Sequence, residues 1–410
     1  MHSALILTLN AGSSSFRFAL FPFEDTASDT AHNNAVDAAL VRGRIDGIRS
    51  EAPTRLTLSR WSLGASPEVE QDLDNVQDAV GALKLLLQWL DDAALLSRVR
   101  AVGHRVVHGG LHEDHCVLNA DLRRQLEALT PLAPLHQPND LAGIDAVAKL
   151  LPDRPQTACF DTVFHRSMPA VARKFALPAS LRQPHLQRFG FHGLSYEYVS
   201  RHMQTRVPER AQLLIAHLGS GASLCAVRDG RSLDTTMGMT PLDGVPMGTR
   251  SGSLDPGALL WLLQQSGLTV DRLQALLYHE SGLLGLSGIS ADMRRLRQSD
   301  TPAAQQAIDH FAYQCSKALG ALSAALEAVQ GVVFTGGIGE HDANLRAQIM
   351  NRCHWLDVQM DPAANERHDF CISTADSRVG CYVIPTDEEF VIAKTTRRLL
   401  SAQTAGPDQS

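Results

Sequence analysis

No apolar run in the 410 residues reaches the roughly 18–20 residues that a membrane-spanning helix needs. No basic region precedes the short apolar stretch after Met1-His2-Ser3, so neither a secretory signal nor an anchor is expected and the chain is read as cytoplasmic. Seven cysteines, Cys116, Cys159, Cys225, Cys315, Cys353, Cys371 and Cys381, are odd in number, widely spread and without a C-x-x-C pair. That argues against both a disulfide framework and a zinc site. Excess positive charge is lacking too. A formal net charge of -7 gives no general attraction to nucleic acid or to an anionic membrane, so an anionic substrate must be held by local groups. The Walker A pattern and the G-x-G-x-x-G fingerprint are both absent, which weighs against P-loop and Rossmann nucleotide sites.

What is present is ordinary globular material, 44% hydrophobic and 20% charged, in a chain long enough for two domains. Ala4 to Leu9 reads as a strand, Asn10 to Ser15 as a small-residue turn and Phe16 to Phe21 as the returning strand. The order recurs in Leu213 to Leu218, Gly219 to Ala222 and Ser223 to Val227, with Asp229-Gly230 as the next hairpin turn. This weak internal repeat suggests two related halves facing each other across a cleft. Helical patterns at Val76 to Leu90 and Asn139 to Leu151 alternate with strand-like Ala101 to Val107 and Thr157 to Phe160, an α/β arrangement. From Pro302 to Gln330, Ile308, Phe311, Cys315, Leu319, Leu322, Leu326 and Val329 keep helical spacing, predicting one long helix stopped by Gly331. A strand Val332 to Phe334 follows, and another helix starts near Asp342. The tail after Leu400 reads as loose.

Three small-residue turns follow strands: Asn10 to Ser15, His217 to Gly221 and Gly336 to Gly339. Glycine lets backbone N–H groups approach phosphate oxygens and serine adds donors, so together the turns suit a polyphosphate. Each alone is equally an ordinary hairpin connection. Arg105 lies in a strand-like run where a guanidinium needs an anionic partner, and its fork suits a carboxylate or phosphate. Arg250, in Gly248-Thr249-Arg250-Ser251-Gly252, and His192, in Gly190-Phe191-His192-Gly193, sit among glycines that let a side chain project into a cleft. A salt bridge or a satisfied core histidine is the plainer explanation for each alone. Asp161 follows a strand, where a carboxylate opens onto the functional edge of an α/β sheet. For Glu388 the plainer explanation is helix N-terminal electrostatics, with Thr386 or Asp387 as the cap.

In order and spacing these motifs resemble the acetate kinase family, within the superfamily of acetate and sugar kinases, heat-shock chaperone ATPases and actin. The match is carried by Asn10 to Ser15, His104 to Gly110, Ala133 to His136, Phe160 to Thr162, Gly190 to Gly193, His217 to Ser223, Gly248 to Gly252, Gly336 to Glu340 and Pro385 to Glu389. These nine blocks span nearly the whole chain. The resemblance implies an α/β, two-domain actin-like ATPase fold of duplicated ribonuclease H-like domains with a central cleft. Residues 1–162 and 388–410 would form a first domain completed by the C-terminal helix, and 163–387 a second domain for nucleotide binding and dimerisation. It implies ATP/ADP as co-substrate, Mg2+ (with Mn2+ as a substitute) as cofactor, acetate as acceptor and a homodimer, with no nucleic-acid or membrane partner. By the same resemblance Asn10 and Glu388 would hold the metal. Asp161, His192 and Arg250 would be catalytic, and Arg105 would bind the acid, with Val107, Leu135, Phe191 and Pro241 around its methyl. Arg17, His217, Leu218, Gly219, Ser220, Gly221, Asp292, Met293, Arg294, Gly337, Ile338, Gly339, Glu340 and His341 would line the nucleotide. The same site with a wider pocket would make a propionate or butyrate kinase. An actin- or chaperone-like ATP-gated binding protein is the reading from another class.

Five residues depart from the family's usual pattern: Arg17 for lysine, Ser220 and His341 for asparagine, Leu194 for threonine and Tyr196 for histidine. A carboxylate acceptor is already ionised at neutral pH and needs no general base. Asp161 is therefore expected to orient magnesium through water, not to abstract a proton. Whether His192 acts as a neutral donor or as a cation is left open by the sequence.

Overall fold

A computed structural model describes residues 3–11, 15–24, 39–46, 48, 54–63, 70–73, 76 and 78–404. The chain divides into two compact units, Met1–Val163 with Asp387–Ser410, and Phe164–Thr386. Gly12, Ser13 and Ser14 of the first serine turn lie outside the described residues.

The first unit is built on β1 (Leu5–Ala11), β2 (Ser15–Pro22), β3 (Val41–Asp46), β4 (Thr54–Trp61), β5 (Glu70–Leu73), β6 (Val99–Val106), β7 (Cys116–Val117) and β8 (Gln156–Phe160). They form one sheet in the order β5-β4-β3-β2-β1-β6-β8-β7, with β1, β6 and β8 parallel and the β1 to β5 meander antiparallel. Central strand β1 is apolar on both faces because both faces are covered. Leu5, Leu7 and Leu9 pack with Leu83 and Leu86 of helix Ala79–Asp92 and Val147 of helix Gln137–Leu150. Ile6 points the other way, to Ala393 of helix Glu388–Thr404. That last helix lies close on the sheet: a Cβ added to Gly103 would stand 2.4 Å from Thr396 Oγ1 and 2.6 Å from Ile392. Thr396 also bonds Thr157 at 2.7 Å.

The second unit carries β9 (Gln212–Leu218), β10 (Ala222–Arg228), β11 (Arg231–Thr235), β12 (Gly331–Thr335) and β13 (Gly380–Val383) in the order β11-β10-β9-β12-β13. This repeats β3-β2-β1-β6-β8, an antiparallel trio followed by two parallel strands, and makes the internal repeat a duplicated plan. Tyr196, Val199 and Met203 of helix Gly193–Arg206 bury against Leu213, Ile215 and Val227. Asp229 and Gly230 both have positive φ, as a tight twisted hairpin turn requires.

Four elements differ from expectation. The long helix runs only from Pro302 to Ser323, because Gln212 Oε1 takes the N–H groups of Glu327 and Ala328 and so ends the ladder before Leu326 and Val329. The third glycine turn is instead the short helix Gly336–His341. Past Leu400 the helix continues to Thr404. The helix expected at Val76 begins at Ala79, where Asp78 accepts the Gly81 N–H. Among the described residues no helix is long and apolar enough to cross a membrane.

Candidate active site

In the first unit, three parallel strands end on one edge and set the polar constellation there. Leu9 pairs with His104 and Arg105 with Cys159, so Asn10, Arg105 and Asp161 emerge side by side. Asp161 is 1% exposed and receives Arg105 Nε at 3.0 Å and Nη2 at 2.6 Å, the fork that the sequence asks for. Arg105 Nη1 donates to Asn10 Oδ1 at 3.2 Å, and Asn10 Nδ2 donates to Glu388 Oε2 at 3.0 Å. Glu388 Oε2 lies 3.9 Å from Arg105 Nε. Burial alone would pull the Arg105 proton off more easily, but Asp161 and then Glu388 outweigh it and hold the guanidinium above its ordinary value. The helix cap is Asp387, whose Oδ1 accepts the Phe390 N–H at 2.9 Å, and Glu388 is turned inward and buried.

Arg17 stands opposite Asn10 in the β1–β2 register and is exposed. Val107 is buried, its N–H donating to Asp140 Oδ2 at 2.9 Å, and Leu135 is half-buried nearby in sequence to that helix. Asp140 was not singled out by the sequence. Burial pushes its carboxyl well above the carboxylate range, with the Val107 N–H and Arg105 opposing and Asp161 adding.

Asn10, Asp161 and Glu388 offer hard oxygen donors in one place. No group of three or more His, Cys, Asp or Glu among the described residues forms a metal cage. Mg2+ binds characteristically through one or two carboxylates, completing its octahedron with water and phosphate, and the donor set fits that chemistry.

In the second unit, His192 has φ 58° and heads helix Gly193–Arg206. Its ring stacks on His217 at 4.3 Å, and its Nδ1 meets Ser223 Oγ at 2.8 Å. Tyr196 OH reaches the same Oγ at 2.6 Å, and Ser195 Oγ meets His217 Nδ1 at 2.8 Å. A Cβ added to Gly221 would lie 3.3 Å from His192 Nε2 and 3.6 Å from Arg250 Nη2, so the two cationic candidates converge on the second glycine turn. Arg250 is steadied by Nη1 donating to Pro241 O at 2.9 Å, and its loop is tied to the turn by Gly248 N–H donating to Ser220 O. Phe191 and Pro241 are buried in this unit.

The turn His217 to Gly221 and the start of helix Gly336–His341 share an edge because β9 and β12 run parallel. Gly336, at φ 77°, approaches Leu218 O so closely that a Cβ there would sit 2.8 Å from it. Gly337, Ser220 and His341 are exposed, whereas Gly339 is buried. Glu340 spends its carboxylate on the backbone, accepting from Gly336 N and Thr386 N at 2.9 and 3.2 Å. Asp292 likewise caps helix Met293–Arg297 and pairs with the exposed Arg294, while Met293 is buried. The Ser195, Ser223 and Tyr196 contacts were missed by the sequence reading. Their signal lay in spacing: Tyr196 is one helical turn from His192, and Ser223 stands opposite His217.

Rigid donors held on glycine turns in the second unit, and a carboxylate-locked arginine in the first, are each equipment of phosphoryl transfer, where positioning and charge compensation do most of the catalysis. The molecule is a kinase in architecture and in descent. A family model described as the acetokinase family matches residues 5–394. Acetate kinase of Nitrobacter hamburgensis is 44% identical over 402 residues, 96% of each chain. That of Rhizobium meliloti is 42% identical over 406 residues, covering 98% of this chain and 99% of its own. Among solved structures, a propionate kinase from Francisella tularensis matches with TM-score 0.86 and 34% identity, over 97% of this chain and all of its own. Porphyromonas gingivalis acetate kinase matches with TM-score 0.81 and 32% identity over the same shares. The chain belongs to the acetokinase family, with its actin-like, two-domain α/β fold.

Proposed function

We propose that this chain catalyses reversible transfer of the ATP γ-phosphoryl group to acetate, giving acetyl phosphate and ADP, by direct in-line displacement in the cytoplasm. The observation that carries the reading is the Arg105 guanidinium, kept cationic by Asp161 and Glu388 at the edge of the first sheet. It would align the acid's carboxylate bidentately once substrate competes for its fork. Val107, Leu135, Phe191 and Pro241 would surround the acyl methyl. His192 and Arg250 would donate to the equatorial oxygens as charge spreads over them. The second and third glycine turns, with Arg17 and the Asp292 to Arg294 segment, would take the nucleotide. Mg2+, held by Asn10 and Glu388 with Asp161 orienting its water, would supply charge neutralisation at the phosphates.

Formation of acetyl phosphate from ATP, magnesium and acetate tests the reaction, with propionate and butyrate run in parallel. The resemblance to the Francisella propionate kinase structure favours propionate as the second acceptor. Acetate should be preferred over propionate by roughly ten- to two-hundredfold in kcat/KM, the worth of one methylene in an apolar pocket. Val107→Ala should narrow or invert that ratio and leave the KM for ATP nearly unchanged. An intact ratio would remove Val107 from the pocket.

A homodimer joined through the second unit is supported by helix Pro256–Gln265, whose sequence Pro-Gly-Ala-Leu-Leu-Trp-Leu-Leu is apolar yet has no buried residue. Leu260 and Trp261 are 58% and 60% exposed, an apolar face of the kind that marks an interface. Trp261→Glu should shift the sedimenting species from dimer to monomer. A dimer of undiminished stability would exclude this helix from the interface.

A further inference from the structure

We infer that Tyr196, acting through Ser223, fixes His192 as a neutral imidazole with its proton on Nε2, so that it serves phosphoryl transfer as an N–H donor and not as a cation. The argument is a count of protons along a buried chain. Tyr196 is 0% exposed, and a buried phenol must give its single proton to an acceptor. Its side-chain partner is Ser223 Oγ at 2.6 Å, and the phenol oxygen also receives the backbone hydrogen bond of His217. Burial, ahead of the nearby Cys225, raises the Tyr196 hydroxyl well above its ordinary value, so it stays protonated. Ser223 is likewise fully buried and has one proton. Having accepted from Tyr196, it donates to its other partner, His192 Nδ1, at 2.8 Å. Nδ1 is then an acceptor, and the ring proton belongs on Nε2, the atom turned toward Gly221.

An imidazolium would reverse every bond in the chain. Its Nδ1–H would donate to Ser223, and either the serine proton or the phenol proton would be left buried without an acceptor. Four of the groups facing His192 and Tyr196 lie in the same unit. His217 stacks on the ring from β9, and Arg250 brings its Nη2 to the same glycine from the 247–252 loop. His165, edge-on to Tyr196, is pushed down to about 4 by burial and adds no charge at neutral pH. Cys225 on β10 is held protonated by burial. Tyr196 is a positioning residue here, and one of the five departures from the family's usual pattern. Its assigned purpose rests on the kinase reading, although the hydrogen bonds do not.

The test is the protonation of the two His192 ring nitrogens, read by long-range 15N–1H correlation on the full-length protein and assigned against His192→Gln. Across about pH 6 to 9 the wild type should show Nε2 protonated and Nδ1 bare. Tyr196→Phe removes the donor that polarises the Ser223 hydroxyl toward Nδ1 but leaves His192 Nδ1 as the partner for the serine proton, so the Nε2–H tautomer should persist there with a rise in the His192 titration of less than about one pH unit. Ser223→Ala should abolish the single tautomer. A protonated Nδ1 in the wild type at neutral pH overturns the inference, as does an unchanged tautomer and titration in both variants. Failure of the wild type to make acetyl phosphate would overturn the kinase reading and leave this measurement standing.

Discussion

Arg250→Ala is expected to lower kcat by at least about a hundredfold, because a preorganised donor aimed at developing charge is lost from the transition state more than from the ground state. The fold should tolerate the change. The side chain donates to Pro241 O at 2.9 Å, while bonds that shape its loop, Met247 N to Arg250 O and Gly248 N to Ser220 O, are made by backbone. The thermal midpoint should move by no more than about 2–4 °C. Steady-state rates beside a melting curve separate the outcomes. A variant retaining near-normal kcat would remove Arg250 from the chemistry, and one that melts far lower would make its role structural.

Asp161→Asn should damage binding and stability together. In the wild type, Arg105 is held by Nε and Nη2 on a carboxylate that is almost wholly buried. An amide of the same shape presents N–H groups to a guanidinium that cannot accept them. Removing one partner of a buried ion pair costs about 3–5 kcal/mol, reduced here because Glu388 stands 3.9 Å from Arg105. The freed fork should also turn toward Glu388 and away from the acid, raising the KM for acetate. Arg105→Ala raises the same KM by removing the group outright. A double-mutant cycle in denaturant is the check: Arg105→Ala in the Asp161→Asn background should cost much less than in the wild type. Additive losses would mean that the two residues act independently.

Most of the fold was legible because its signals are local. The hairpin pattern repeats at Leu5–Ala11 and Gln212–Leu218, and both strands proved central and apolar on both faces. Arg105 could be assigned an anionic partner from the cost of burying it, and Asp161 supplies that partner. What stayed hidden depends on side chains arriving from elsewhere in the chain. The end of the long helix at Ser323 is set by Gln212, more than a hundred positions earlier, and no periodicity within Pro302 to Gln330 records that competitor. Taken by itself Glu388 reads as helix N-terminal charge, with Thr386 or Asp387 as the cap, because the residues that draw it inward, Asn10 and Arg105, come from far earlier in the chain. Asp140 carried no mark in a polar stretch, because its burial beneath Val107 is a property of helix packing. The Tyr196–Ser223–His192 chain was visible only as spacing, without a reason to connect the three.

The helix Glu388–Thr404 gives the first sheet one of its two covers, and the last-made segment of the described chain is therefore part of the first unit. During synthesis the strands β1 to β8 leave the ribosome early, with Ile6, Ala19 and Phe21 awaiting Ala393. At about 5–20 residues per second, the intervening unit holds that apolar face open for on the order of ten seconds or more. The second unit, contiguous in sequence, has all its strands and both helical covers by then and is free to fold first. The half emerging second can therefore close before the half emerging first has its last cover. A chain cut short before Glu388 would leave that face of the first sheet uncovered, the kind of apolar surface that holding chaperones bind. Glu388 arrives in the same stretch, so the second anionic partner of Arg105 joins Asp161 only after the whole second unit has been made.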